Sequence, residues 1–276
     1  MDARLVGRIA RQELTVNIRN RWTIIFAVVF GVLIVGISYI GIMAEGFSGM
    51  QNFTRTSASM LNLVLYIVPL VALVMGTLSF TGDRGTTELL FSQPLFRGEV
   101  LVGKVLGLFL SLSLSMLLGF VASGGVISSV TGTEGLPQYG MFVALSLLLA
   151  LVFLVVSVVI ATANRRKSRS FGISLFAWFF FVLFYDLIVI GVSLFFKGKT
   201  ANTILFLSLF GNPVDMVRVA SLIILDNASI FGAAGAALLR FLGGSAASVA
   251  LLVGSLLVWI GVPVALSRRL LNRQDI

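Results

Sequence analysis

The sequence predicts an all-α integral membrane protein with six transmembrane helices. Two observations lead there. Apolar residues make up 58% of the 276-residue chain and charged residues only 11%, against about 25% charge in a soluble domain. So little charge cannot keep a particle of this size hydrated, and lipid must be its main solvent. The second observation is six long, nearly uncharged stretches: Trp22–Ala44, Thr56–Thr81, Val105–Val130, Tyr139–Ala163, Phe171–Phe196 and Phe241–Ser267. Each reaches the roughly 20 apolar residues that one hydrocarbon thickness requires. Only Asp186 places a charge inside them. The first is too long for a secretory signal and no small-residue cleavage site follows it. Pro69 and Pro263 lie within spans, where membrane helices tolerate them. The chain from 1 to 276 reads as one transmembrane domain.

The 20 Lys and Arg residues set an orientation. With the amino terminus placed in the cytoplasm, 15 of them fall inside: Arg4, Arg8, Arg11, Arg19, Arg21, Arg84, Arg97, Lys104, Arg165, Arg166, Lys167, Arg169, Arg268, Arg269 and Arg273. Outside are Arg55, Lys197, Lys199, Arg218 and Arg240. The positive-inside rule therefore puts both termini in the cytoplasm of a multi-pass protein of the cell (inner) membrane. The net charge of +9 is explained by basic residues facing an anionic leaflet. The bilayer is the partner this implies, and nucleic acid is not needed.

Residues 1–21 form an amphipathic interfacial helix. At about 100° per residue, Arg4, Arg8, Arg11 and Arg19 share a sector of about 80° at the membrane interface, with Leu5, Val6, Ile9 and Val16 opposite. Glu13 points into the apolar sector. It either snorkels or pairs with an arginine, or it touches a protein partner below the membrane.

The cytoplasmic loop 82–99 reads GDRGTTELLFSQPLFRGE. Thr86 can cap a short helix with Glu88 in its first turn, and Pro94 would end it. Such a helix with exposed leucines needs a covering surface. The outer segment 197–240 holds two short apolar runs, Ile204–Phe210 and Val219–Leu225, flanking GNPVDMVR. The expectation is two short helices on or dipping into the outer leaflet, with a re-entrant pair as the alternative. Asn212 caps the second helix and Pro213 takes its first position. With Asp215 and Arg218 they form a polar tip suited to an external partner, or else the helix merely seals the outer end of the bundle.

Asp186 has two readings: a structural pair with Arg218 or Arg240, or a polar group lining a translocation path. In the third span Gly103, Gly107, Ser111, Ser115, Gly119 and Ser123 recur every four residues. Small residues at that spacing allow close helix packing, within the chain or at a dimer seam.

Catalysis and cofactor binding by this chain are not expected. There is no cysteine and no histidine, which removes thiol chemistry, Ser-His-Asp triads and the usual zinc sites. No metal site is predicted. Lys197-Gly198-Lys199-Thr200 contains GKT, but Ser193 stands where a phosphate-binding loop needs glycine. If ATP drives this protein, another polypeptide binds it.

The loop and the start of the third span, GTTELLFSQPLFRGEVLVGKVLG, resemble the first cytoplasmic loop of ABC-2 (type-2) ABC transporter permeases. The matching positions are Asp83, Gly85, Thr86, Leu89, Leu90, Pro94, Arg97 and Lys104. Thr81 stands where that family often has a second acid. The segment IARQELTVNIRNRW, with Glu13, is similar to the family's interfacial elbow helix. Within the family, the chain most resembles the NosY-like permeases, through its length, FVLFYDLIVIGVSL around Asp186, and NPVDMVRV. The resemblance implies an ABC-2 permease-like fold, two permease copies and two cytoplasmic ABC ATPase subunits that bind ATP and Mg. It implies that the elbow and the loop, with Arg84, Glu88 and Arg97 as polar contacts, receive the ATPase stroke. For the NosY-like group it implies a periplasmic partner and copper-site maturation of nitrous oxide reductase. The alternatives are a generic exporter of another small or hydrophobic cargo, a mechanical transducer acting on an external partner, and an ATP-independent channel or carrier.

Overall fold

In the computed structural model, residues 3–46, 53–81, 97–164, 166–196, 198–225, 238–239 and 241–272 are described. They form α1 (Ala3–Ile18), α2 (Arg21–Gly46), α3 (Phe53–Thr81), α4 (Arg97–Thr131), α5 (Leu136–Ala163), α6 (Lys167–Phe179), α7 (Tyr185–Ser193), α8 (Lys199–Ser208), α9 (Pro213–Ile224) and α10 (Ser245–Asn272). A π-turn, Phe180–Phe184, joins α6 to α7 as one continuous span. Among the described residues six helices are long and apolar enough to cross a bilayer: α2, α3, α4, α5, α6–α7 and α10.

The bundle is organised around α5. This helix is apolar all round, which is the pattern of a helix with protein on every side. Two-thirds (67%) of its apolar window is buried, against 6% for α6–α7 and 17% for α10. Helices α3, α4, α9 and α10 pack on it. The tightest crossing is with α3, where a Cβ added to Gly76 would overlap Ser157 Oγ. Helix α2 lies outside and packs along α4. The Phe30 ring meets Phe120 edge-on at 5.4 Å. Next to it Gly119 faces the backbone of Gly31. One turn on, Ser38 and Ser123 share a hydrogen bond of 2.6 Å, and both approach Met60 Sδ at 3.4 Å.

Two boundaries differ from the sequence expectation. Helix α4 begins at Arg97 and runs 35 residues, about 52 Å, well beyond a roughly 30 Å hydrocarbon core. Its extra turns stand at the end of the bundle that carries α1. Glu99, expected in a loop, is 3% exposed there. The other is the outer segment, where the structure favours the re-entrant alternative over helices resting on the leaflet. Helices α8 and α9 are not laid on the surface: they are bent by 105° about Leu209–Asn212, and their corner is tied to the middle of two spans. Trp259 Nε1, halfway along α10, donates to Phe210 O at 3.1 Å. Phe181 O, halfway along α6–α7, accepts from Asn212 Nδ2 at 2.9 Å. The corner thus reaches about half the depth of the bundle, and the Arg218–Asp186 pair draws α9 back alongside α7, as in a re-entrant pair.

Candidate functional site

Two polar clusters stand out in this apolar bundle, one at the α1 end of the span system and one in its other half, reaching mid-depth. The first joins α1 to α3 and α4. Ser79 Oγ donates to Glu13 Oε1 at 2.8 Å, and Asn17 Nδ2 donates to the same oxygen at 3.0 Å. Lys104 Nζ donates to Ser79 O at 2.7 Å and lies 5.1 Å from the Phe80 ring centroid. The glycines of the small-residue stripe make this approach possible. A Cβ on Gly103 would stand 2.8 Å from Ile9 Cβ, and one on Gly107 would stand 2.5 Å from Ala10 O and 2.6 Å from Glu13 Cβ. Helix α1 thus does more than lie in the interface: its inner face is packed on α4. Arg4, Arg8, Arg11 and Arg19 stay exposed.

Glu13 has partners within its own chain that the sequence readings did not name, Asn17 and Ser79, the latter 66 residues on. The sequence held no sign of Ser79 or Asn17. Gly103 and Gly107 were visible as small residues, but not as the seat of α1. Farther along the stripe the partner changes. Ser111 and Ser115 turn their hydroxyls onto carbonyls of their own helix, Leu108 O and Ser111 O, while Gly119 and Ser123 meet α2. This shift follows from the roughly 40° drift of a four-residue repeat on a 3.6-residue helix. Asp83, Arg84, Gly85, Thr86, Glu88 and Pro94, expected to receive the ATPase stroke, lie outside the described residues. The ends of that segment are fixed nonetheless. Thr81 ends α3 two residues after Ser79, and Arg97 opens α4 six residues before Gly103.

The second cluster holds the re-entrant pair. Arg218 Nη1 lies 3.0 Å from Asp186 Oδ2 and 2.6 Å from Asp215 Oδ1. Asp215 Oδ2 accepts from Asn212 Nδ2 at 2.7 Å. Asn212 Oδ1 accepts from Val214 N at 3.0 Å, so it caps α9 as the Asn-Pro pair predicts, with Pro213 in the first turn. The π-turn contributes directly. Tyr185 N bonds to Phe180 O, five residues back, and Phe181 O takes the Asn212 amide. The Tyr185 hydroxyl then donates to Ser208 O at 2.6 Å. At this depth an unsatisfied polar group costs several kcal/mol, and here Asn212, Asp215, Arg218 and Tyr185 each find a partner.

This geometry alters the reading of the outer residues. Asn212 is fully buried and Pro213 is buried with it. Asp215 keeps 13% and Arg218 24% side-chain exposure. They tie α9 to α7 and do not stand out as a tip. Asp186, 37% exposed, pairs with Arg218 and presents the remaining edge of its carboxylate to whatever covers α7.

Comparison with known proteins agrees with this architecture. The family model described as ABC-2 family transporter protein matches residues 8–276. A protein of Pseudomonas aeruginosa named "Probable ABC transporter permease protein NosY" is 34% identical over 278 residues, covering 99% of both chains. A protein of the same name from Stutzerimonas stutzeri is 35% identical over 277 residues, covering 98% of both. In this family the nucleotide is bound by a separate ATPase subunit. From near its amino terminus to its last residue, then, the chain belongs to the ABC-2 family as a NosY-like permease subunit of an ABC transporter.

Proposed function

We propose that this permease transmits the stroke of a cytoplasmic ABC ATPase from the 82–96 segment into the span system, in the service of copper-site maturation of nitrous oxide reductase. The observation that carries the mechanical part is the α1–α3–α4 clamp. Both ends of the segment sit within a few residues of Ser79 and Gly103, and both are held to α1. A push on the segment would therefore move α1, α3 and α4 together and not flex one helix alone. Two ATPase subunits and two permease copies form the working complex, with Arg84, Glu88 and Arg97 as the polar contacts. The similarity to NosY permeases over nearly the full length supports the biological role. A periplasmic partner would read the outer face through the part-exposed Asp186 edge and α7, since Asn212 and Pro213 are enclosed.

The orientation puts the α1 end in the cytoplasm. Reporter fusions after Arg169 and Ile276 are expected to report cytoplasm, and fusions after Gly49, Gly135 and Ser229 the outside. A cytoplasmic signal at Ser229 would mean that α8 and α9 cross together as one broken span, which would refute the re-entrant topology.

The role itself is tested by deleting the gene in its host and measuring nitrous oxide reduction and the copper content of the exported reductase. The expected result is an exported enzyme deficient in its copper site, restored by the wild-type gene. Normal reductase in the deletion strain would end this assignment and leave the ABC-2 permease identity standing.

A further inference from the structure

The re-entrant pair fills only half of a gap. Spans α6–α7 and α10 flank α5 but share no packed seam. They meet at mid-depth, where the Phe181 and Trp259 rings touch edge-on at 5.6 Å. The α8–α9 corner closes the space on one side of that contact, through Phe210 O and Asn212. On the other side, toward the α1 end, the exposure of α5 records the opening. Phe153 is fully buried and packs on Phe181 at 5.8 Å. Along the same face Val156 and Ile160 are only part-buried, and Ala163 is exposed. On α10 the turns after Trp259 leave Val262 60% and Leu266 45% exposed. These residues make an apolar face between α6 and α10, below the aromatic contact at mid-membrane.

Its mouth is basic. Arg166, Lys167 and Arg169 stand exposed at the start of α6, and Arg268 and Arg269 stand exposed at the end of α10. Among the described residues none of these five is in an ion pair. We infer that α6, α10 and the exposed face of α5 form a crevice that binds one anionic phospholipid of the leaflet at the α1 end. Its headgroup phosphate would sit between the two basic turns, with an acyl chain against Ile160, Val262 and Leu266. The proportions fit, since the ceiling stands at half the bundle's depth and one leaflet supplies half of a roughly 30 Å core. A soluble partner could reach the cations but not the apolar walls, so charge and depth together favour a lipid. The position would let lipid composition bias α6 and α10, the two spans least covered by protein.

The test uses the full chain, purified in mild detergent and returned to phosphatidylcholine vesicles with or without phosphatidylglycerol. Lipid retained through native mass spectrometry is then counted. The wild type is expected to keep one phosphatidylglycerol in preference to phosphatidylcholine. Lys167→Gln/Arg268→Gln/Arg269→Gln should weaken that retention on the order of tenfold or more, since each cation near an anionic headgroup contributes measurably. Ile160→Trp should expel the lipid while leaving every cation in place. Arg8→Gln/Arg11→Gln, on α1 at the same end, should retain it. Equal loss from the α1 variant would reduce the effect to general surface charge and overturn the site. So would retention by both Ile160→Trp and the triple variant. A single Val262→Cys in this cysteine-free chain supplies a further check: an efficient disulfide between two copies would show that protein covers the crevice, which would overturn it too.

Discussion

Gly107→Leu is expected to strip α1 from the bundle without preventing membrane insertion. The six spans do not depend on this residue, so the chain should reach the membrane in normal amount. The added side chain would begin 2.5 Å from Ala10 O, a backbone atom that can move only if all of α1 moves. Overpacking of this kind costs roughly 1–3 kcal/mol. The displacement also takes Glu13 away from Ser79. A lower melting temperature of the solubilised permease is expected, together with loss of coupling between ATP hydrolysis and function in the assembled complex. Gly125 lies on the same helix with open space around it, so Gly125→Ala should change neither. Ser79→Ala isolates the hydrogen bond from the packing, and its effect on stability should be smaller, about 1 kcal/mol. If Gly107→Leu lowers stability while the complex keeps its ATP-coupled activity, the clamp holds the fold together and carries no stroke.

The spans were legible because hydrophobic length is a local property. Any window over α5 shows it, whatever its neighbours are. The interfacial helix was legible for a similar reason, since its arginines recur on one side of a 3.6-residue helix. The re-entrant pair was ambiguous. Ile204–Phe210 and Val219–Leu225 are too short to span, and a short apolar run looks the same whether it rests on a leaflet or plunges into a bundle. GNPVDMVR reads as exposed because polar residues usually are. Here Asn212, Asp215 and Arg218 satisfy one another and the Phe181 carbonyl, so the segment can go below the surface. That closure depends on a π-turn within FFVLF, for which the sequence offers no signal. Glu13 shows the same limit. Its place among apolar residues announced a constraint, but the partner is a serine 66 positions away.

The largest loss of stability is expected from Arg218→Leu. One guanidinium serves two carboxylates in this cluster, and its removal leaves Asp186 and Asp215 facing each other with no positive charge among the side chains named there. Taking one partner from a buried ion pair costs about 3–5 kcal/mol, because the charge left behind has lost both water and its counterion. The part-exposed Asp186 argues for the lower end of that range. Asp186→Asn should be much milder, since Arg218 still holds Asp215 at 2.6 Å and Asn212 still bonds to it. Arg218→Leu/Asp215→Leu should recover most of what Arg218→Leu loses, because it removes the orphaned carboxylate that sits deepest. Thermal unfolding of the solubilised chain measures all three against wild type. If Arg218→Leu proves no worse than Asp186→Asn, the guanidinium does not hold the re-entrant pair in place, and the packing of Val214, Met216 and Val217 must do so instead. The activity of Asp186→Asn separates the two readings of that carboxylate. If activity falls only in step with stability, Asp186 serves as Arg218's partner. If activity is lost while the melting temperature holds, the exposed edge of Asp186 acts on the translocation path or on the external partner.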